Sequence, residues 1–180
     1  MKIIVFLICY TDHMAKITYV DNNDTVIGYG TKEEAIAKGL IHRIARVFVF
    51  NSEGEILIQK RSEKAAIPGR WDQSAAGHVD EGEDYLAAAL RETREEVGIE
   101  GVYLFEVGKY YSEETDDDLL KKRFTGLFTT VFDGDRLEGD GEVAEVQWIS
   151  PSALKTWMSN TPEDFTQGFI QCYEYFQGKT

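Results

Sequence analysis

Short apolar runs, separated by turn residues, punctuate the first part of the chain. Lys16 to Val20 reads as a strand, and Asp21-Asn22-Asn23-Asp24 supplies turn chemistry before a second run from Val26 to Tyr29. Thr31 is placed to cap a short helix over Lys32 to Lys38, ended by Gly39. Ile44 to Phe50 and Glu55 to Lys60 are rich in β-formers and flank Asn51-Ser52-Glu53-Gly54, which predicts a hairpin. Pro68-Gly69 breaks the chain before a short extended piece from Trp71 to Ala76.

The period then changes. In Asp84 to Val97, Leu86, Leu90, Thr93 and Val97 recur at i, i+4, i+7 and i+11, which predicts a helix with Gly98 ending it. Val102 to Tyr111, Arg123 to Phe132 and Val143 to Ile149 read as further strands, with an acidic loop from Glu113 to Asp118 between the first two. Pro151 opens a helix through Trp157, and Pro162 opens a last one reaching about Phe176. Phe165, Phe169, Tyr173 and Phe176 recur there at helical spacing, which marks a buried face or a dimer contact. Strands interleaved with a few helices imply an α/β (α+β) architecture, a mixed sheet sandwiched between helices.

Composition narrows the function classes. The 180 residues (20.4 kDa) are 43% hydrophobic, enough for a real core. Nineteen Lys+Arg against 32 Asp+Glu leave a formal charge of −13. Such a charge opposes nucleic acid and anionic membranes, so neither is expected as a partner. A small anionic substrate stays compatible where a local basic patch or a divalent cation compensates. Cys9 and Cys172 lack disulfide-framework or zinc spacing and read as reduced cysteines of a cytoplasmic protein. Ile3 to Cys9 is far shorter than the ~20 residues of a membrane span. It also lacks a signal-type cleavage site, since Tyr10, Thr11, Asp12 and His13 follow. Residues 1–13 therefore read as an extension, either an extra edge strand or a stretch upstream of a natural start at Met14. Residues 14–180 read as one domain.

On a helical wheel, Glu92, Glu95 and Glu96 fall within an arc of roughly 100°. Three carboxylates at i, i+3 and i+4 repel one another by a few tenths of a kcal/mol per close pair, and at least one should titrate high. Such a cluster is either a solvated acidic face or an oxygen-rich site for Mg²⁺ or Mn²⁺.

The segment around it decides between the two. From Gly77 the chain reads G-H-V-D-E-G-E, then seven residues, then R-E-T-R-E-E-V-G-I. This resembles the Nudix box: Gly77, Glu83, Arg91, Glu92, Glu95, Glu96 and Gly98 occupy its fixed positions over 23 residues, and Thr93 stands where an aliphatic residue is usual. The resemblance implies a Nudix fold and a pyrophosphatase acting on a nucleoside diphosphate linked to another group, or on a similar diphosphate. It implies that Glu92, Glu95 and Glu96 ligate Mg²⁺ or Mn²⁺, with Glu83 supporting the loop or sharing the metal. Arg91 would pair with a box carboxylate, and Gly77 would allow close backbone approach. Glu92, Glu95, Glu96 and Arg91 are thus the expected catalytic set. The general base is left open between Glu95 or Glu96 and, outside the box, Glu113, Glu114, Glu142 and Glu145. A homodimer is the oligomeric form that the resemblance suggests.

V-D-N-N-D, the run I-H-R-I-A-R-V-F-V-F-N-S-E-G-E-I-L-I-Q-K-R-S and P-G-R-W-D-Q-S-A-A-G-H are similar to the branch containing isopentenyl-diphosphate isomerase. That enzyme needs a Cys before the Gly-His pair, where this chain has Ala76. Its two metal-site glutamates fall on Lys121 and Arg123. His42 and His78 match its histidines, but a third near Ala35 or Ile36 is absent. The expectation is therefore an isomerase-like hydrolase. Trp71, Lys60, Arg61, His42, His78 and Arg123 are its candidate substrate contacts, with Lys121 and Lys122 as further cations. An isomerase is the rival reading. A non-catalytic nucleotide sensor is a weaker one, because such modules lose box glutamates and this chain keeps them all.

Overall fold

The computed structural model of the chain describes residues 16–116, 119–134 and 141–179. In chain order its elements are β1 (Ile17–Val20), β2 (Val26–Gly30), α1 (Lys32–Lys38), β3 (Ile41–Phe50), β4 (Ile56–Arg61), β5 (Trp71–Asp72), β6 (Ala75–His78), α2 (Tyr85–Val97), β7 (Phe105–Asp116), β8 (Leu119–Val131), β9 (Val143–Ile149), α3 (Pro151–Asn160) and α4 (Gln167–Gln177). Residues 1–13 and Met14 lie outside the described residues, as do Asp117 and Asp118.

The strands form one mixed sheet built on β3. β1, β4 and β6 pair with β3 antiparallel, and β8 runs parallel to it from Ile41↔Lys122 to Phe50↔Val131. β7 adds to β8, while β9 and β5 add to β4. Because successive strand residues face opposite sides, β3 supplies two cores. Ala45, Val47 and Val49 pack with Leu57 and the Tyr85, Ala88, Ala89 and Val97 face of α2. Phe48, with Ile56 and Ile58, packs against Leu154 and Met158 of α3 and Phe169, Cys172 and Tyr173 of α4. Helices thus cover both faces, as the alternation of elements predicts. Fully buried rings such as Phe48, Phe165 and Phe169 each contribute roughly 1.5–3 kcal/mol through burial. Phe165, Phe169 and Tyr173 lie in this core. No helix among the described residues is long and apolar enough to cross a membrane.

Local chemistry sets the helix ends. Asp84 caps α2 by accepting from Ala87 N, and Gly98 ends it in the left-handed region at φ 66°. Thr31 and Ser150 cap α1 and α3 in the same way.

Several expectations are corrected. The acidic stretch is no loop as far as it is described: Glu113 and Glu114 belong to β7, opposite Lys122 and Lys121 of β8, and Glu114 is offset by Arg46 and Arg123. Pro162 opens only a 3₁₀ turn to Asp164, and α4 starts at Gln167 under a Thr166 cap. Most consequentially, Leu86 and Leu90 are 43% and 40% exposed. The buried face of α2 is Tyr85, Ala88, Ala89, Thr93, Glu96 and Val97, so the helix turns part of its acidic arc inward. Thr93 is fully buried and satisfies its hydroxyl on Ala89 O at 2.7 Å.

Candidate active site

A cleft of about 510 Å³ opens between α2, the loop before it, and the side-chain layer of β3 and β8 that faces α4. One wall is acidic. β6 crosses under α2, and the Glu92 carboxylate fills the space a Cβ at position 77 would need, so any larger residue there would displace Glu92. Glu96 is 6% exposed and accepts from Gln59 Nε2 at 2.6 Å and from Ala76 N at 3.0 Å. Both donors are neutral. Burial, with Glu92 nearby, pushes its carboxyl up to about 8. Burial also pushes Glu92 up to about 7, outweighing its 2.6 Å ion pair with Arg91. The expected high titration thus has a cause that the wheel did not show, namely desolvation first and like charge second.

Arg91 holds the loop to the helix. Its guanidinium donates to both oxygens of Glu83 at 2.8 and 2.9 Å, to Glu92 at 2.6 Å and to His78 O at 2.9 Å, with Glu95 at 3.4 Å. Glu83 also accepts from Asp80 N at 3.1 Å. With both oxygens taken by Arg91, Glu83 fits loop support and leaves Glu92, Glu95 and Glu96 as the oxygen donors of this wall.

The opposite wall is basic and buried. Glu114 of β7 lies between Arg46 of β3, at 3.0 Å, and Arg123 of β8, which also donates to it. Arg46 Nη1 donates to Gln73 Oε1 at 2.8 Å. Beside this triad the His42 and His78 rings sit 5.2 Å apart. Burial, and then the charge of Arg123, push His42 down to about 3. Burial, and then His42, push His78 well below the ordinary range. Both rings are therefore neutral near pH 7 and bring no positive charge to a phosphate.

The structure brings together Gly77, Glu92, Glu95, Glu96 and Arg91 on one wall, and Arg61, His78, Arg123 and Lys121 elsewhere in the same cleft. Trp71, Lys60 and His42 are not among its lining residues. Trp71 is core, edge-on to Trp157 at 5.5 Å, and the Lys60 ammonium lies over its ring. His42 is 1% exposed, behind Arg123. Of the outside base candidates, Glu113 and Glu145 do not line the cleft, and Glu114 does but is held by two arginines. Glu142 lines it. Sequence reasoning missed Arg46, Gln59, Gln73 and Lys32. For Arg46 a signal existed: a cation inside the otherwise apolar run Ile44 to Phe50 needs a buried partner.

Among the described residues no three His, Cys, Asp or Glu side chains stand together as a ready metal cage. Each box carboxylate is drawn to a protein donor instead, Glu95 to Arg94 at 2.9 Å and Arg91, and the other two as above. The donor set nonetheless fits a hard divalent cation. Its atoms are carboxylate oxygens, and Glu96 is a buried acid with no cation against it among the described residues, ready to exchange a proton for a metal.

Comparison with known proteins bears on this site. Residues 40–169 match the NUDIX domain model. The chain is 33% identical over 153 residues to an isopentenyl-diphosphate Delta-isomerase of Serratia proteamaculans, covering 84% of this chain and 85% of that protein. It is 36% identical over 137 residues to the Nudix hydrolase PA4841 of Pseudomonas aeruginosa, covering 75% and 78%. Among solved structures, DR0079 of Deinococcus radiodurans superposes with a TM-score of 0.71 at 20% identity, covering 90% of this chain and 97% of that one.

Proposed function

This chain belongs to the Nudix family and is a hydrolase of phosphorus-containing anhydrides, and from that premise we propose that it is a divalent-cation-dependent pyrophosphatase cleaving the diphosphate linkage of a small molecule. The observation that carries the reading is the buried Glu96 beside Glu92 and Gly77, an acid that among the described residues meets only the neutral donors Gln59 and Ala76 N–H.

Glu92, Glu95 and Glu96 would hold Mg²⁺ or Mn²⁺, which supplies charge neutralisation on the diphosphate and a more acidic water. Gln59 orients Glu96 through its 2.6 Å hydrogen bond, and Arg91 fixes the loop against the helix. Water oxygen joins one phosphorus as the bridging P–O bond breaks, and the water proton passes to a carboxylate. Glu95, Glu96 and Glu142 line the cleft and are the candidates to take it, while Glu114 is held by Arg46 and Arg123. The isomerase reading lacks its chemistry. Ala76 offers no thiol, and Lys121 and Arg123 bring positive charge where that reaction needs glutamates.

The test is release of phosphate or a nucleoside monophosphate from a panel of diphosphates with Mg²⁺ or Mn²⁺. Turnover that persists in chelator contradicts the mechanism, and isomerisation of isopentenyl diphosphate contradicts the choice between branches.

A further inference from the structure

Ile67 defies its local backbone preferences at the rim of the cleft. Its φ of 57° puts a β-branched residue in the left-handed region, and the Pro68 that follows favours extended backbone there. Such a conformation persists only where its surroundings impose it. Here they do. Arg61 Nε donates to Ala66 O, and Arg61 Nη1 is itself fixed by Asp72 Oδ2 at 3.0 Å. The segment 62–69 is closed at its base by Gly69 N to Arg61 O and Arg61 N to Arg70 O, both at 2.9 Å. Ser62 ties it to the residues just before β9, its N–H donating to Glu142 O and its hydroxyl to Gly141 O, both at 2.8 Å.

Core packing does not account for the strain. Among the described residues Ile67 joins none of the buried apolar clusters. It is half-buried and lines the cleft beside Ala65 and Ala66, whereas the other two isoleucines there, Ile17 and Ile44, are 4% and 5% exposed. Ile67 is thus the cleft isoleucine with apolar surface left to cover. No Phe, Tyr or Trp ring is among the described residues lining the cleft, so no platform for stacking a nucleobase is built there. The segment and the box carboxylates of α2 border one cavity of about 510 Å³, the size of a small-molecule site.

Resting on the hydrolase reading above, we propose that Ile67 is a specificity-determining residue, held in its strained conformation to contact an aliphatic part of the substrate beyond the diphosphate. The diphosphate lies towards α2, and saturated carbon of the attached group covers Ile67 with Ala65 and Ala66. The strain is the cost of aiming that side chain at the substrate.

The experiment measures kcat/KM of the full chain with Mg²⁺ on methyl diphosphate and n-butyl diphosphate, with ADP as a third probe. The butyl ester should exceed the methyl ester by about tenfold, as expected for three methylenes that partly leave water. Ile67→Asn, whose side chain suits the left-handed region, should bring that ratio near one through KM of the butyl ester, with a Tm no lower than the wild type's. Ile67→Val, still apolar and branched, should keep most of the ratio. Equal values for the two esters, turnover of ADP alone, or a ratio unmoved by Ile67→Asn would overturn the contact while leaving the hydrolase intact. No turnover of any probe with Mg²⁺ or Mn²⁺ would overturn both.

Discussion

The two walls of the cleft solve opposite electrostatic problems by different means. The α2 wall pairs Glu83 and Glu92 with Arg91 but buries Glu96 against neutral donors alone, Gln59 and the Ala76 N–H, with no cation against it among the described residues. The β3–β8 wall buries positive charge and ties it into an ion triad through Glu114. An uncompensated buried acid is poor for stability and good for capturing a cation; a buried triad is rigid, and half-breaking it is costly. The contrast separates a wall organised for chemistry from a wall organised for shape and charge.

The largest effect should come from the acidic wall. Glu96→Gln should lower turnover by several orders of magnitude. The same variant should melt higher than the parent above pH 8 in chelator, because burial penalises the charged glutamate and amide replaces it. Activity assays and thermal melts on one preparation check both halves. A variant that loses activity and also melts lower at that pH would place Glu96 in the framework instead.

Next comes the basic wall, where stability should suffer most. Glu114→Gln leaves Arg46 and Arg123 facing each other without an anion, so destabilisation of about 3–5 kcal/mol is expected in denaturant titration. Glu83→Gln, on a partly exposed pair with Arg91, should destabilise less. If the two variants lose equal stability, the walls do not differ as described.

The difference between the walls also explains what the sequence reveals. Glu92, Glu95 and Glu96 lie within five residues of one helix, so a wheel places them together without any tertiary knowledge. Arg46, Gln73 and Glu114 meet across 27 and 68 residues of chain, through strand register that no local period encodes. The same limit hid the orientation of α2. Leu86 and Leu90 outrank alanine in hydrophobicity, so the periodicity favoured them. The sheet instead needs the small Ala88 and Ala89 for close approach, and that rotates Glu96 inward. Gln59, inside I-L-I-Q-K, reads locally as a strand residue on either face. Only the β4 position beside α2 makes it the partner of Glu96.

Gln59 therefore offers a finer cut. Gln59→Leu removes one neutral donor from Glu96 and should weaken Mn²⁺ binding, read by calorimetry, and turnover alike by about 10–100-fold. Gln59→Asn should fall short of the wild type for lack of reach. Equal loss in both variants with unchanged Mn²⁺ affinity would remove Gln59 from the positioning role.

The smallest effect is the pH dependence of stability, in which the walls pull in opposite directions. His42 has a folded value of about 3 against 6.5 unfolded, so its contribution is present above pH 6.5 and lost as pH falls towards 3. Glu92 and Glu96 have folded values of about 7 and 8 against 4.5, so theirs is present below pH 4.5 and lost as pH rises through 7 to 8. His78, also held well below its ordinary value by burial, acts in the same direction as His42, so between 4.5 and 6.5 two histidines and two glutamates largely cancel. Above 6.5 only the carboxylates act, each lowering stability by at most about 1.4 kcal/mol per pH unit. Chelated protein should accordingly show a plateau near pH 5–6 and a decline towards pH 8. Mg²⁺ or Mn²⁺ should flatten that decline, because a metal on the same oxygens takes the place of the proton. A stability that climbs steadily to pH 8 without metal would mean the acidic wall is already compensated, and the asymmetry between the walls would disappear.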